Sequence, residues 1–473
     1  NGAGLVGSEM CIRDRPFTAL GHLVRRRLVT TRFTIDPPLI AEADVVIVGS
    51  GSAGATAAIA AARTGSSVVL IEKLPYLGGI STSVLDTIYG FFTPGSQSTK
   101  VVGGVADDVI GAMRDLGPVL ERPNTYGAGT GVTYNMEHLK LAWERLVRGA
   151  GVRVLLHSFV QDVSVRDGHV EELLVATKAG LARVAGRAFI DASGDADLCF
   201  HAGFGYERAG EKAAAQSLTT TFRMIGVDME RRRSITTAQF HALMAGAAES
   251  GEYDLPRREG SDHITPIESM TATNMTRLEA TRPADDGVVD TSDPDFLSAA
   301  EMDGRAQALE YARFLVDLVP GYEGASLVAL GTQIGVREIR RIYGDYRLTG
   351  EDVMSAQQFD DQVGLSGAPL EDHRPGVDTK WQYLPDGSCV GIPFRTLVVR
   401  VADNVLAAGR CFSATHDAQA SVRSMAQCMA MGQAAGTAAA LAATAGTTPR
   451  AVSRTDLRSR LLESGALLSM DQS

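Results

Sequence analysis

Three glycines in fixed spacing, one acid, and a few arginines and histidines are the residues of this chain whose types could do chemistry. Gly49, Gly51 and Gly54 stand in the run Gly49-Ser50-Gly51-Ser52-Ala53-Gly54, directly after the apolar residues 45–48. In this spacing the first glycine allows a tight turn and the second leaves room for a pyrophosphate. The third lets a helix pack close to its strand. Free N–H groups at the start of that helix would face phosphate oxygens. A second apolar run, 68–71, ends at Glu72, about 20 residues past the glycines, where a carboxylate accepts from a ribose diol. Its charge disfavours a 2′-phosphate. The alternative is a glycine-rich turn in another kind of α/β domain, against which the two flanking strands and the acid weigh. A bound dinucleotide is therefore expected, with Lys73 beside Glu72 assigned to the same site.

Arginines are the natural anchors for an anionic substrate, because the guanidinium fork matches a carboxylate. Arg337, Arg340 and Arg341 cluster in one short segment, and Arg395 lies beside Ile392-Pro393. On a helix, positions i, i+3 and i+4 share a face. The competing reading is a structural cluster paired with Glu338, Asp345 and Glu351. Of nine histidines, His416 and His373 are the candidates for acid–base work, since imidazole titrates near neutrality. His373 follows two acids that would raise its pKa. A structural role for either histidine is the alternative.

The elements that must position these residues read as an α/β pattern. A small-residue helix follows Gly54. Residues 136–147 form a helix with Leu139, Leu141, Trp143 and Leu146 apolar and Asn135 as its cap. Residues 152–156 and 160–165 read as strands, with Asp167-Gly168 a hairpin turn. A buried strand runs through 188–191 into Ala192-Ser193-Gly194, and another, 404–408, ends at Gly409-Arg410. A long Ala/Gly helix starts near Met425. Elsewhere 217–227 reads as strand, and 237–248 and 299–318 as helices, the last stopped by Pro320-Gly321. The Pro-, Gly-, Asp- and Thr-rich stretch 254–293 reads as a long surface excursion or a lid.

A second glycine pair, Leu77-Gly78-Gly79, followed by Ile80-Ser81, selects the cofactor. Nicotinamide-binding domains do not need it, whereas flavoproteins of the glutathione-reductase type do. With Phe189 through Asp195, Pro320-Gly321-Tyr-Glu323, the stretch 335–344, Ile392 through Leu397, and 404–436, the chain resembles the FAD-dependent oxidoreductases related to the flavin-carrying part of heterodisulfide reductase. More remotely it is similar to fumarate-reductase-type flavoproteins. The resemblance covers about 41–445. It implies a Rossmann-like FAD domain, a parallel sheet plus β-meander, with an inserted α+β substrate domain. The expected divisions are an N-terminal extension 1–40, FAD-domain parts 41–85, 135–205 and 385–447, substrate-domain parts 86–134 and 206–384, and a tail 448–473. It further implies non-covalent FAD held by the residues already named together with Val160, Ala434, Ala435 and Arg423. The run Gly432 through Gly436 would bring small residues to the flavin pyrimidine edge. His416 would lie near the flavin face as a general base, with an apparent pKa near 6–7. Two departures fall where substrate contacts are expected. Ile339 replaces the family's usual serine, and Glu371-Asp372-His373 replaces an aspartate–apolar–histidine pattern.

The 473 residues suffice for two domains. A net charge of −11 excludes the basic surface of a nucleic-acid binder. The five cysteines, Cys11, Cys199, Cys389, Cys411 and Cys428, form no C-x-x-C pair. No iron–sulfur cluster and no other metal is expected, although relatives carry clusters. Scattered cysteines and the lack of a secretory pattern suit the cytoplasm. Residues 1–15 resemble a translated sequencing adapter, and 25–27 a solvated basic extension. The uncharged stretch 425–445 is as long as a membrane span, yet its Ala and Gly content and its two glutamines favour a buried helix. The expectation is an oxidoreductase moving a hydride between a small organic substrate, anionic if the arginines bind it, and flavin N5. The electron acceptor is not readable, and both a monomer and a homo-oligomer are compatible. The alternatives are a flavin electron-transfer component of a larger complex, a non-redox flavoprotein such as a hydratase or isomerase, and, least favoured, a nicotinamide-only dehydrogenase.

Overall fold

The computed structural model describes residues 36–472, apart from 96–97, 124–126, 128, 285–286, 375 and 377–378. Residues 1–15, 25–27 and Cys11 lie outside the described residues.

The apolar runs on either side of the glycines are β1 (Leu39–Val48) and β2 (Val68–Ile71), parallel neighbours with Val45 opposite Val68. Between them runs α1 (Ser52–Arg63). β2 pairs in parallel with β3 (Arg153–Leu155). On the other side of β1 lies β6 (Gly180–Asp191), the last strand of a meander with β4 (Phe159–Arg166) and β5 (His169–Thr177). The sheet order is thus β3-β2-β1-β6-β5-β4. The end of β6 also pairs in parallel with the short strand Val405–Ala407. Central strands buried on both faces are continuous apolar runs, while the meander alternates, as half-covered antiparallel strands do.

α2 (Met425–Ala445) lies against α1. A Cβ on Gly432 would stand 2.1 Å from the Ala53 carbonyl oxygen, and one on Gly436 would stand 2.1 Å from that of Ala57. The Ala/Gly composition therefore serves backbone-to-backbone approach of two helices. This corrects the expectation that Gly432 through Gly436 face the cofactor. Ala434 and Ala435 are fully buried in the same packing. Both glutamines bond to the protein interior: Gln433 Oε1 accepts from Val105 N–H, and Gln427 Nε2 donates to the Gly90 carbonyl, while its buried Oε1 has no partner among the described residues. Among the described residues no helix is long and apolar enough to cross a membrane.

A second sheet is antiparallel, in the order β8 (Ser261–Ile264), β9 (Met270–Asn274), β7 (Phe222–Ile225), β10 (Ser326–Leu330). Helices Thr237–Ser250 and Pro294–Leu318 join it around Phe222, Met224, Phe240, Met244, Tyr311 and Phe314. The stretch 254–293 is therefore no loose excursion, because it supplies two of the four strands. Its threonines looked like surface but bond inward: Thr273 Oγ1 donates to the Phe222 carbonyl and Thr276 Oγ1 to that of Thr220. The strand expected over 217–227 is confined to Phe222–Ile225. The expected tail 448–473 contains the helix Arg454–Glu463, which buries Leu457 and Leu461.

Candidate functional site

One cavity of about 410 Å³ reaches from the glycine turn after β1 to the second sheet. At its first end the three glycines are distinguished by what a side chain would meet. On Gly49, at φ +89°, a Cβ would stand 2.5 Å from the Ala192 carbonyl oxygen. On Gly54 it would stand 1.8 Å from that of Gly49. On Gly51 it would meet nothing within 4 Å. The first and third glycines are thus needed by the fold, and the middle one leaves open space in front of α1. α1 starts without a side-chain cap, so its first N–H groups are available to an anion. This cradle fits a dinucleotide pyrophosphate.

The second glycine pair packs onto the first. Gly78 N–H donates to the Ser50 carbonyl at 2.9 Å, and a Cβ on Gly79 would stand 2.9 Å from Gly51 Cα. Gly78 itself is pressed against Thr82 and Trp143. Ser81, buried, donates its hydroxyl to the Gly78 carbonyl. Glu72 lies on the cavity wall but is largely committed: Oε2 accepts from Ser50 N–H at 2.7 Å and Ser50 Oγ at 2.6 Å, and Oε1 accepts from Leu74 N–H at 2.8 Å. A carboxylate has about four acceptor positions, so one remains for a ribose.

Beside these on the cavity wall are Ser52, Ala53, Lys73, Ile80 and Val160. Ala192, Ser193, Gly194, Gly409, Arg410 and Arg423 line it as well. Ser50, Gly54, Gly78, Ser81, Ala434 and Ala435 stand behind the wall. The start of α2 reaches the cavity through Met425 and Cys428.

The arginine cluster separates. Its segment is not helical: Arg340–Ile342 is a strand, and successive side chains leave in different directions. Arg337 lines the cavity and donates to the Ser217 carbonyl. Arg340 stacks over Phe200 at 4.1 Å and pairs with Asp197 at 3.2 Å. Arg341 lies between Glu338 and Glu207. Arg395 pairs with Asp361 at 2.9 Å and is not on the cavity wall. Of the four, only Arg337 faces the cavity.

The histidines also divide. His416 is off the cavity wall, with Nδ1 3.0 Å from Glu338 and Nε2 3.3 Å from Asp372. Burial opposes its charge, yet the hydrogen bonds from Asp372 and Glu338 carry its pKa up to about 9. Both nitrogens are occupied and the ring holds its proton at neutral pH. This is the geometry of a structural imidazolium and not of a base with a pKa near 6–7. His373 does line the cavity. Its Nε2 contacts Glu371 at 2.8 Å and its Nδ1 contacts Thr379 Oγ1 at 3.0 Å. Contrary to expectation its pKa is lowered, to about 3, by burial and by the charge of Arg337, against the pull of Glu371. His373 is therefore neutral beside an ionised Glu371.

The cavity wall carries further groups that the sequence reading missed. Arg257 donates to the Asn274 side-chain and main-chain oxygens at 3.2 and 3.1 Å. Arg423 donates to Gln216 at 2.9 Å, and its buried Nε has no partner. Among the described residues neither Arg337 nor Arg423 has a carboxylate within salt-bridge distance. Burial, then the charges of Arg423 and Arg257, press against ionisation of Arg337. A guanidinium keeps its proton even so, so the wall holds positive charge that an anion would relieve. Asp86 and His263 line the cavity too. Arg257 and His263 were hidden in the stretch taken for a lid. The one local signal there is the apolar–polar alternation Met270-Thr271-Ala272-Thr273; 261–264 has no such pattern, and Arg257 lies outside both strands.

Among the described residues no group of three or more His, Cys, Asp or Glu side chains could hold a metal ion. The four described cysteines are buried and unpaired.

Over 85 residues the chain is 35% identical to a 4-oxocyclohex-2-ene-1-carboxylate 5-dehydrogenase of Sinomonas cyclohexanicum, matching 18% of this chain and 13% of that protein. Over 139 residues it is 29% identical to a urocanate reductase of Eggerthella lenta, matching 28% of this chain and 23% of that protein. The matches thus span less than a quarter of either relative. Among solved structures, a p-nitrophenol 4-monooxygenase from Pseudomonas putida DLL-E4 superposes with a TM-score of 0.46 at 12% identity, over 92% of this chain and 89% of the other. The model of the FAD dependent oxidoreductase family matches residues 44–461, nearly the whole described chain, and the protein belongs to that family of enzymes.

Proposed function

We propose that this enzyme oxidises or reduces a small organic anion, a carboxylate by preference, in the cavity between the glycine cradle and the second sheet. The observation that carries this reading is the pair Arg337 and Arg423, aimed at the cavity without a carboxylate partner and joined there by Arg257. A buried charge with no carboxylate in direct contact is costly; Glu371 on the same wall offsets both guanidinium charges only from beyond salt-bridge distance, and a substrate carboxylate would supply the direct contact. The Sinomonas cyclohexanicum relative is a 4-oxocyclohex-2-ene-1-carboxylate 5-dehydrogenase, which is in line with this.

Bound FAD would supply a two-electron acceptor or donor. Gly49, Gly51 and the start of α1 would hold its pyrophosphate and Glu72 a ribose hydroxyl, with Gly79 and Gly409, packed against Gly51 and Ala53, lining the cavity beside it. Arg337, Arg423 and Arg257 would orient the substrate, and neutral His373, its nitrogens engaged by Glu371 and Thr379, would form part of the wall beside them. The kinship with the flavin-carrying part of heterodisulfide reductase belongs to the same proposal and rests on the ordered motifs. So does a cytoplasmic location, which rests on the scattered cysteines.

The test is anaerobic mixing of the purified yellow protein with a panel of small carboxylates, read by loss of flavin absorbance. Arg337→Gln should weaken the binding of an active carboxylate by about 10–100-fold, the scale of one charged hydrogen bond. Bleaching by neutral alcohols or amines with no carboxylate response would reject the anionic reading.

A further inference from the structure

The cavity wall holds a carboxylate–imidazole pair that this reading does not use. Asp86, shortly after the helix Ile80–Ser83, is 3% exposed, and its Oδ1 lies 2.7 Å from His263 Nε2. His263 on β8 is opposite Ala272 of β9, and Ala272 is opposite Arg223 of β7. Residues paired across antiparallel strands share a face, so His263 and Arg223 project from the same side of the sheet. Asp86 is received between them, with Arg223 Nε 3.8 Å from Oδ2. Asn274, two residues from the position opposite His263, is on that face as well and is gripped by Arg257. The sheet therefore presents the imidazole and part of the arginine group to one cavity.

Hydrogen-bond chemistry fixes which nitrogen carries the proton when the ring is neutral. An ionised carboxylate only accepts. Despite burial, His263 and then Arg223 hold Asp86 below the usual carboxylate range, so it is ionised. The proton between the two residues is then on Nε2, and in the neutral ring Nδ1 is a lone pair. Among the described residues Nδ1 makes no hydrogen bond.

We propose that His263, oriented by Asp86, is the group that takes a proton from the substrate in this cavity and returns it in the reverse direction. The assignment rests on the anionic-substrate reading of the same cavity. In the step, an O–H or acidic C–H bond of the substrate breaks and its electron pair stays on the substrate. The proton bonds to Nδ1 and the ring becomes imidazolium, its charge offset by Asp86. Nothing is oxidised or reduced in this step. The other groups near the pair are Thr87, whose Oγ1 is 3.4 Å from His263 Nε2, Arg122, which donates to that hydroxyl, and Tyr134 beside Asp86. Asp262, next in the chain, is committed to Arg232 and Tyr322. None of them competes for Nδ1. A clasp that only ties Asp86 to the second sheet would use the same 2.7 Å contact but would have no use for an open Nδ1.

Malonate serves as the probe, titrated into the yellow holoprotein near neutral pH. Affinity is read from the flavin absorbance, and proton uptake from calorimetry in buffers of different ionisation enthalpy. Wild type should take up protons on binding. His263→Gln should bind malonate within about threefold yet take up less than about half as many protons. Equal uptake in the variant overturns the proposal. The tautomer of His263, read from ¹⁵N-histidine spectra of the wild-type holoprotein, is a measurement that needs no variant. An Nδ1–H tautomer overturns the proposal, and an Nε2–H tautomer that shifts in Asp86→Asn supports it. Failure of malonate to bind counts against the anionic cavity alone, and the nitrogen spectra then decide for His263. Once a substrate is known, His263→Gln should slow flavin reduction by about 10²–10⁴-fold while FAD content is retained.

Discussion

His416 provides the sharpest energetic test, because its two partners are buried carboxylates and its side chain is only 9% exposed. Its pKa stands at about 9 against 6.5 for the unperturbed group. Each unit is worth about 1.36 kcal/mol, so the protonated ring stabilises the fold by about 3 kcal/mol. The sign follows from the direction of the shift. A raised folded-state pKa gives stability that is fully present below pH 6.5 and is lost as pH rises through about 9. Wild type should therefore lose about 3 kcal/mol between those limits, in addition to any general alkaline trend. His416→Gln should be less stable than wild type at pH 6.5 by at least this amount, because Glu338 and Asp372 are then left without their shared cation. It should also lack most of the pH dependence in this window. Urea unfolding of both proteins at half-unit steps from pH 6 to 10, followed by tryptophan and flavin fluorescence, measures both quantities. A variant whose stability is unchanged, and whose flavin reduction is instead slowed more than a hundredfold, would refute the structural role and restore His416 as a base.

Gly51→Val should purify with less than about a tenth of normal FAD, because the new side chain enters the open space in front of α1. Full occupancy in that variant would move the pyrophosphate elsewhere. Gly432→Ala places a methyl 2.1 Å from the Ala53 carbonyl oxygen. It should cost about 1–3 kcal/mol in chemical unfolding, and an unchanged unfolding midpoint would show that the two helices can separate freely. FAD should be released into a yellow supernatant by acid, since Cys411 and His416 both stand behind the cavity wall; a flavin-mass adduct on either peptide contradicts this.

The glycine turn, the acid after the second strand, the paired glycines and both long apolar helices could be read from the chain alone. Each is a local pattern, in which a fixed spacing places residues on one turn, one strand or one helical face. Gly54 is required by its contact with Gly49 in the same turn, Gly49 by the approach of Ala192 just past the end of β6, and Gly51 by what it leaves empty. The backbone of the glycine turn was therefore legible in the sequence. The substrate side was not. Arg337, Arg340 and Arg341 lie within five residues of one another, yet they end at the cavity, at Phe200 and Asp197, and between Glu207 and Glu338. An extended segment sends neighbouring side chains apart, and their partners come from distant parts of the chain. His416 and His373 sat beside equally plausible acids in the sequence. Burial and the identity of non-local partners carried one pKa up and the other down. Asp86 and His263, 177 positions apart, meet only because the second sheet is brought against the segment after Gly79. Short-range spacing encodes the backbone of the glycine turn. Which charged side chain faces the cavity, and in which protonation state, is decided by long-range packing, because desolvation and Coulomb interactions depend on neighbours that sequence proximity does not specify.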